Sequence, residues 1–229
     1  MTSAVLAGST GLVGSHILSH LLSHPSISSV HAYTRRDLPN PPSSTQLHPL
    51  QSTDISTWPS LFPSSPTPQL FISALGTTRA AAGGLDNQRK IDLDLNLSLA
   101  RAAKKAGCTT YVLISSNSAS STSMSPYLRM KGELEDKVKE LGFKYTVFLQ
   151  PGLIMGERSE SRPAEAVARG LAGWIRKVAP GFVEGWAQDK DTIARAAVRA
   201  GLECLEGKRE EGVHVIGQAE IVKLGKEEK

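Results

Sequence analysis

Three glycines at three-residue spacing, Gly8, Gly11 and Gly14, constrain this chain more than any other feature. They follow a short apolar run, Ala4-Val5-Leu6-Ala7, and precede an amphipathic one carrying Val13, Ile17, Leu18, Leu21 and Leu22. That order reads as buried strand, tight turn and helix. Gly8 suits the positive φ of a sharp strand-to-helix turn. Gly11 lets the backbone approach a pyrophosphate, and Gly14 lets the helix pack tightly on the strand. The helix start then offers free N–H groups and a positive dipole end. The turn residues Gly8, Ser9, Thr10, Gly11, Leu12, Val13 and Gly14 are therefore a candidate phosphate cradle for a dinucleotide. The spacing is GxxGxxG rather than GxGxxG, so its position between first strand and first helix carries the reading. The bland alternative is a tight turn that binds no phosphate.

A second strand is expected over Ser28–Thr34, and it ends in Arg35-Arg36. An NAD site wants an acid near this point for the ribose 2′-hydroxyl. Two guanidinium forks suit a 2′-phosphate instead, which favours NADP(H). Asp37 follows and keeps NAD open, and solvated loop arginines are the plain alternative. Residues 38–68 are rich in Pro and Ser and read as a surface loop around a short strand near Thr45–Leu50 and a short helix near Asp54–Phe62. Asp54 stands either where an adenine amino group is met or where a helix wants its N-cap. A buried strand over Leu70–Thr78 brings Leu75, Gly76 and Thr77 toward the crevice at the strand ends. A long helix over 86–106 and a strand over Tyr111–Ile114, ending in Ser115-Ser116, follow.

The second informative stretch starts near Ser125-Pro126, with proline at an early helical position. Tyr127 and Lys131 share one face of that helix at i, i+4. A phenol, with a reference pKa of about 10, is a poor acid–base group at neutral pH. A nearby ammonium favours the phenolate and tunes it. Ser115 or Ser116, at the neighbouring strand end, has a hydroxyl for a substrate carbonyl. A solvated Tyr and Lys on an exposed face is the alternative.

The segments GSTGLVG, ISALGTTR, LISS and YLRMKGE together resemble the atypical short-chain dehydrogenase/reductase superfamily. The nearer resemblance is to the branch holding the Tat-interacting protein and the fungal FMP-type mitochondrial outer-membrane proteins. It covers nearly the whole chain and includes VFLQPGLIMGERSESRP at 147–163, where Pro151 breaks the sixth strand and is a candidate cofactor contact. The resemblance implies that the glycines hold the pyrophosphate. It further implies that Tyr127, Lys131 and Ser115 or Ser116 form the reductive site, with Lys131 also on the nicotinamide ribose. It implies peripheral attachment to the cytosolic face of the mitochondrial outer membrane, a cytoplasmic protein being the alternative. Many superfamily members carry an Asn 23 residues before the Ser pair; this chain has Asp92 there.

The rest of the chain suits one α/β domain, a Rossmann-like doubly wound parallel sheet with helices on both faces. A sixth strand is expected over Lys144–Leu149, helices near 163–178 and 190–206, a last strand over Val213–Ile216 and a charged tail from Lys223. A small substrate or cap segment spans about 152–190, where Trp174, Phe182 and Trp186 could shape a pocket, an interface or plain core.

The 229 residues suffice for such a domain, and the net charge of +4 is scattered. No basic stripe interleaves with aromatics, which excludes a nucleic-acid surface of the usual kind. No apolar run approaches the roughly 18 residues of a membrane span. Residues 1–34 lack Lys, Arg, Asp and Glu, which disfavours a transit peptide and puts the mature N-terminus near Met1. Cys108 and Cys204 lack metal-like spacing and read as free thiols in a reducing compartment. His16, His20 and His24 recur every four residues; with no acid or Cys nearby in sequence they read as a polar helix face, and no metal is expected. Two functions compete. One is an NADP(H)-dependent carbonyl oxidoreductase. The other is a non-enzymatic NADP(H)-bound regulator or scaffold with a protein partner.

Overall fold

Strand β1 (Thr2–Ala7) sends Ala4 and Leu6 to one side and Val5 and Ala7 to the other, and all four are fully buried. A strand buried on both faces belongs inside a parallel sheet covered by helices. The computed structural model, which describes residues 2–38, 44–155 and 187–226, shows that arrangement. The other strands of the main sheet are β2 (Ile27–Thr34), β3 (Leu47–Gln51), β4 (Leu70–Ser73), β5 (Thr110–Ile114), β6 (Tyr145–Leu149) and β9 (Gly212–Ile216). Their order is β3-β2-β1-β4-β5-β6-β9, and every pairing is parallel. The order reverses beside β1, between β2 and β4, which is where open α/β sheets bind ligands.

Helices α1 (Gly14–Ser23), α6 (Lys190–Leu205) and α7 (Gln218–Leu224) cover one face. Helices α4 (Asn96–Ala106) and α5 (Pro126–Lys139) cover the other, with a 3₁₀ turn over Ile55–Leu61. The strands alternate accordingly. Leu70 and Ile72 of β4 join the α1/α6 core, while Phe71 packs edge-on between Phe62 and Tyr111 on the α4/α5 side. Cys108 and Cys204 are buried and unpaired, and burial pushes the thiols up to about 12 and about 11.

Four expectations change. The strand expected over 70–78 stops at Ser73, because the chain turns there to form the site described below. The single helix expected over 86–106 is α3 (Leu85–Arg89), a π-helical turn (Lys90–Leu95) and α4, with a further short helix α2 (Arg79–Ala82) before it. The break has a visible cause. The buried Asn96 side chain inserts into the ladder, its Nδ2 donating to the carbonyls of Ile91 and Asp92, each at 3.2 Å. The short helix expected near Asp54–Phe62 is 3₁₀, with Pro59 inside it. Finally, β7 (Leu153–Met155) and β8 (Ala187–Asp189) pair in a separate two-stranded parallel sheet that no local pattern announced. The helix expected near 163–178, with Trp174, Phe182 and Trp186, lies outside the described residues. Among the described residues no helix is long and apolar enough to cross a membrane.

Candidate functional site

The glycine turn closes at the exit of β1 because nothing larger fits. Gly8 has φ +86°, and a Cβ there would lie 2.6 Å from the Ala74 carbonyl carbon and oxygen. The β1 exit thus rests directly on the β4 exit. A Cβ on Gly14 would stand 1.9 Å from the Gly8 carbonyl oxygen, so α1 starts against the turn itself. That same oxygen accepts the Gly11 N–H at 2.9 Å. Ser9 is buried, and its hydroxyl donates to the Tyr33 carbonyl at 2.8 Å, tying the turn to the end of β2. Thr10 and Gly11 are exposed, Leu12 is half-buried, and Val13 packs into the core below α1. No side chain caps the N-terminus of α1; within its first turns the Ser15 and Ile17 N–H groups donate to the Gly11 and Val13 carbonyls, each at 3.0 Å.

Arg35 and Arg36 follow β2, both exposed and neither in an ion pair among the described residues. Asp37 instead accepts a hydrogen bond from Gln51 Nε2 at 3.2 Å. Asp54 caps the 3₁₀ turn, accepting the Ser56 N–H at 2.9 Å, and that bonding holds its carboxyl below the usual range. The capping alternative for Asp54 is therefore realised, with the residue still exposed beside the β3 exit.

Beyond β4 the segment Leu75-Gly76-Thr77 is held from below by buried polar groups. Asp92 in the π turn is fully buried; its Oδ1 accepts the Thr77 N–H at 2.7 Å and its Oδ2 accepts Gln88 Nε2 at 3.3 Å. Asn96, also fully buried, accepts the Ser73 hydroxyl and donates to the Leu75 carbonyl at 3.3 Å. Asp92 thus braces the backbone of the β4 exit, a role that sequence spacing could not show.

The exit of β5 meets the first turns of α5. Tyr127, in the first turn, is 40% exposed and its hydroxyl has no partner among the described residues. Lys131 is only 4% exposed, and its Nζ donates to the Ile114 carbonyl at 3.2 Å. Gly132 lets the loop before α5 cross the helix: a Cβ there would lie 2.2 Å from the backbone of Ser120 and Ser121. The two candidate serines separate. Ser115 is buried and donates its hydroxyl to Glu135, whereas Ser116 is half-buried with no side-chain partner among the described residues. Pro151 is buried at the β6 exit, where its carbonyl accepts the Asn117 N–H at 2.8 Å. The exits of β1, β4, β5 and β6 thereby bring together the glycine turn, Leu75-Gly76-Thr77, Ser116, Lys131 and Pro151.

His16 and His20 on α1 and His24 at its C-terminal cap do not share one partner. His16 Nδ1 and His20 Nε2 meet Asp191 Oδ1 at 3.0 and 2.8 Å, and Arg195 meets Asp191 Oδ2 at 2.8 Å. His24 instead accepts the Ser26 N–H at the end of the helix. Asp191 pays some desolvation in this position, yet the two imidazoles and Arg195 hold its carboxyl below the usual range. The partner lies 171 and 175 residues away in sequence, so no local pattern could have found it. A separate groove of about 450 Å³ lies between the C-terminal ends of α1 and α7 and the C-terminal half of α6.

The Gly132 crossing yields a stability prediction. Gly132→Ala forces the Ser120-Ser121 backbone off the helix and should destabilise the fold by about 3 kcal/mol, the upper end for an overpacked site. Urea unfolding followed by circular dichroism measures this; a parental midpoint would contradict the close crossing.

Comparison with known proteins agrees with the fold. A family model described as HIM1 matches residues 49–177. "Protein fmp52-1, mitochondrial" of Aspergillus terreus is 53% identical over 99% of this chain and 100% of its own length. "Protein fmp-52, mitochondrial" of Neurospora crassa is 48% identical over 99% of this chain and 96% of its own. Among solved structures, MoeE5 in complex with UDP-glucose and NAD superposes with a TM-score of 0.67 at 17% identity, covering 97% of this chain and 80% of that one. A short chain dehydrogenase family protein from Francisella tularensis gives 0.66 at 11% identity, covering 96% of this chain and 98% of that one. The architecture is therefore that of the Rossmann-like short-chain dehydrogenases. With about half of its residues shared over nearly its full length with the fmp52 proteins, this chain belongs to the HIM1 family and is of the fmp52 type.

Proposed function

We propose that the crevice binds NADP(H) and that the protein is a reductase of a small carbonyl substrate. One observation carries the reading. Lys131 is a buried ammonium with three donors, of which one is spent on the Ile114 carbonyl. A buried cation with unspent donors, one helical turn from an exposed tyrosine, suits ligand hydroxyls and little else. The uncapped start of α1 and the exposed side of Gly11 fit a pyrophosphate. Arg35 and Arg36 fit a 2′-phosphate, being exposed and free of carboxylate partners among the described residues. Asp54, Leu75, Gly76, Thr77 and Pro151 complete the proposed cofactor contacts.

The bound dinucleotide supplies a hydride. The protein's own part is acid–base and positional. Tyr127 holds the proton for the carbonyl oxygen, Lys131 favours the phenolate that results, and Ser116 donates a hydrogen bond to the same oxygen. Ser115, committed to Glu135, is the weaker choice of the two serines.

NADPH is expected to bind more tightly than NADH, and Arg35→Ala with Arg36→Ala should erase most of that preference. Equal affinities of the parent for the two cofactors in calorimetry would remove the 2′-phosphate role.

Tyr127→Phe should leave the fold and NADPH affinity nearly unchanged while carbonyl reduction falls by at least ~10²-fold, the low end for general acid catalysis. A panel of aldehydes, ketones and quinones with NADPH checks this. Turnover indifferent to Tyr127→Phe removes tyrosine as the acid. No turnover on the whole panel, with NADPH still bound, favours the NADP(H)-bound regulator.

The names of the relatives place those proteins in mitochondria. We infer the same organelle here, with peripheral attachment to the cytosolic face of the outer membrane. Protease added to intact mitochondria should digest the protein, and alkaline carbonate should release it. Protection until the outer membrane is opened would contradict that face.

A further inference from the structure

One buried charge is not used by the reading above. Glu135 lies on α5, one turn beyond Lys131 and two beyond Tyr127, and it is 4% exposed. Its carboxylate accepts the Ser115 hydroxyl through Oε1, and Gln150 Nε2 reaches Oε1 and Oε2 at 3.0 and 3.1 Å. No lysine or arginine forms an ion pair with it among the described residues. A buried carboxylate without a cation is costly to keep, so what it holds needs explaining. It holds the two strand exits that flank the crevice. Ser115 leaves β5 and Gln150 leaves β6. The exits are themselves joined by the Ser115 N–H on the Leu149 carbonyl and the Asn117 N–H on the Pro151 carbonyl, each at 2.8 Å. Gln150 also donates its N–H to the Ile216 carbonyl of β9 at 2.9 Å. An ionised carboxylate is acceptor-only, so it can take donors from both exits at once.

We infer that Glu135 is a positioning residue: it clamps the exits of β5 and β6 to the third turn of α5, and so sets where Lys131 and the Ser115-Ser116 turn stand at the crevice. Its effect on cofactor affinity rests on the proposed NADP(H) site. The clamp itself does not.

The test uses the full chain and two readouts. Glu135→Leu keeps bulk but cannot accept, leaving the Ser115 hydroxyl and the Gln150 amide without their acceptor. Glu135→Gln keeps one acceptor for Gln150, and Ser115 can turn its hydroxyl to accept from the new amide. Calorimetry with NADPH should show Glu135→Leu weakened by about tenfold or more, with Glu135→Gln recovering most of the loss. In the Lys131→Ala background, Glu135→Leu should add little, because it acts through Lys131. A purely structural role would lower the unfolding midpoint without this non-additivity. Parental affinity in Glu135→Leu, or additive losses with Lys131→Ala, would overturn the inference. Amide exchange gives the second readout. Glu135→Leu should speed exchange at 115–117 and 150–152 while β1 and β4 stay protected; exchange unchanged at those exits overturns the clamp. If Glu135→Leu does not fold, Ser115→Ala cuts the clamp on the β5 side and is read by the same exchange. If the parent does not bind NADPH, the cofactor reading fails and exchange alone decides the clamp.

Discussion

No side chain fits where Gly14 meets the carbonyl of Gly8, and none fits where Gly8 meets Ala74. These two contacts fix the start of α1 against the exit of β1, and the exit of β1 against that of β4. The rest of the crevice depends on them. Because β2 and β4 flank β1 on opposite sides, the turn sits where the strand order reverses. Ser9 then reaches the end of β2 through the Tyr33 carbonyl, so three strand exits share one small turn. The start of α1, which no side chain caps, stands beside these exits.

Below that space lie two buried polar clusters. Ser73, Asp92 and Asn96 brace the β4 exit, and Ser115, Glu135 and Gln150 brace the exits of β5 and β6. Apolar side chains would fill these positions at lower desolvation cost, but they could not fix the direction of a backbone N–H or a carbonyl. Polar networks in a low-dielectric interior are rigid, so these two clusters hold the strand exits above them in place. The π turn belongs to the same design: it is the place where Asn96 turns its amide into the helix ladder while its oxygen serves Ser73.

Much of this was legible in the residues themselves. The glycine turn, the apolar strand runs and the Tyr127–Lys131 pair are local patterns with local causes, and each strand of the main sheet overlaps the stretch where those patterns put it, with β4 stopping early at Ser73. What stayed hidden depends on distant partners. Nothing near His16 and His20 signals Asp191. Nothing near Ser115 and Ser116 tells them apart until Glu135, 20 residues on, takes the first. The helix over 86–106 reads as continuous because its apolar repeat is unbroken; the interruption comes from polar side chains serving β4. The pairing of β7 with β8 joins strands more than thirty residues apart in the chain, beyond the reach of any periodicity.

The central claim is that the exits of β1, β2, β4 and β5 form one dinucleotide site. Hydrogen–deuterium exchange with and without NADPH addresses it most directly, because it reports position without requiring turnover. Protection should appear together at 8–15, 34–37, 75–77 and 114–116. Protection confined to the groove among α1, α6 and α7, or no change anywhere at saturating NADPH, would contradict it.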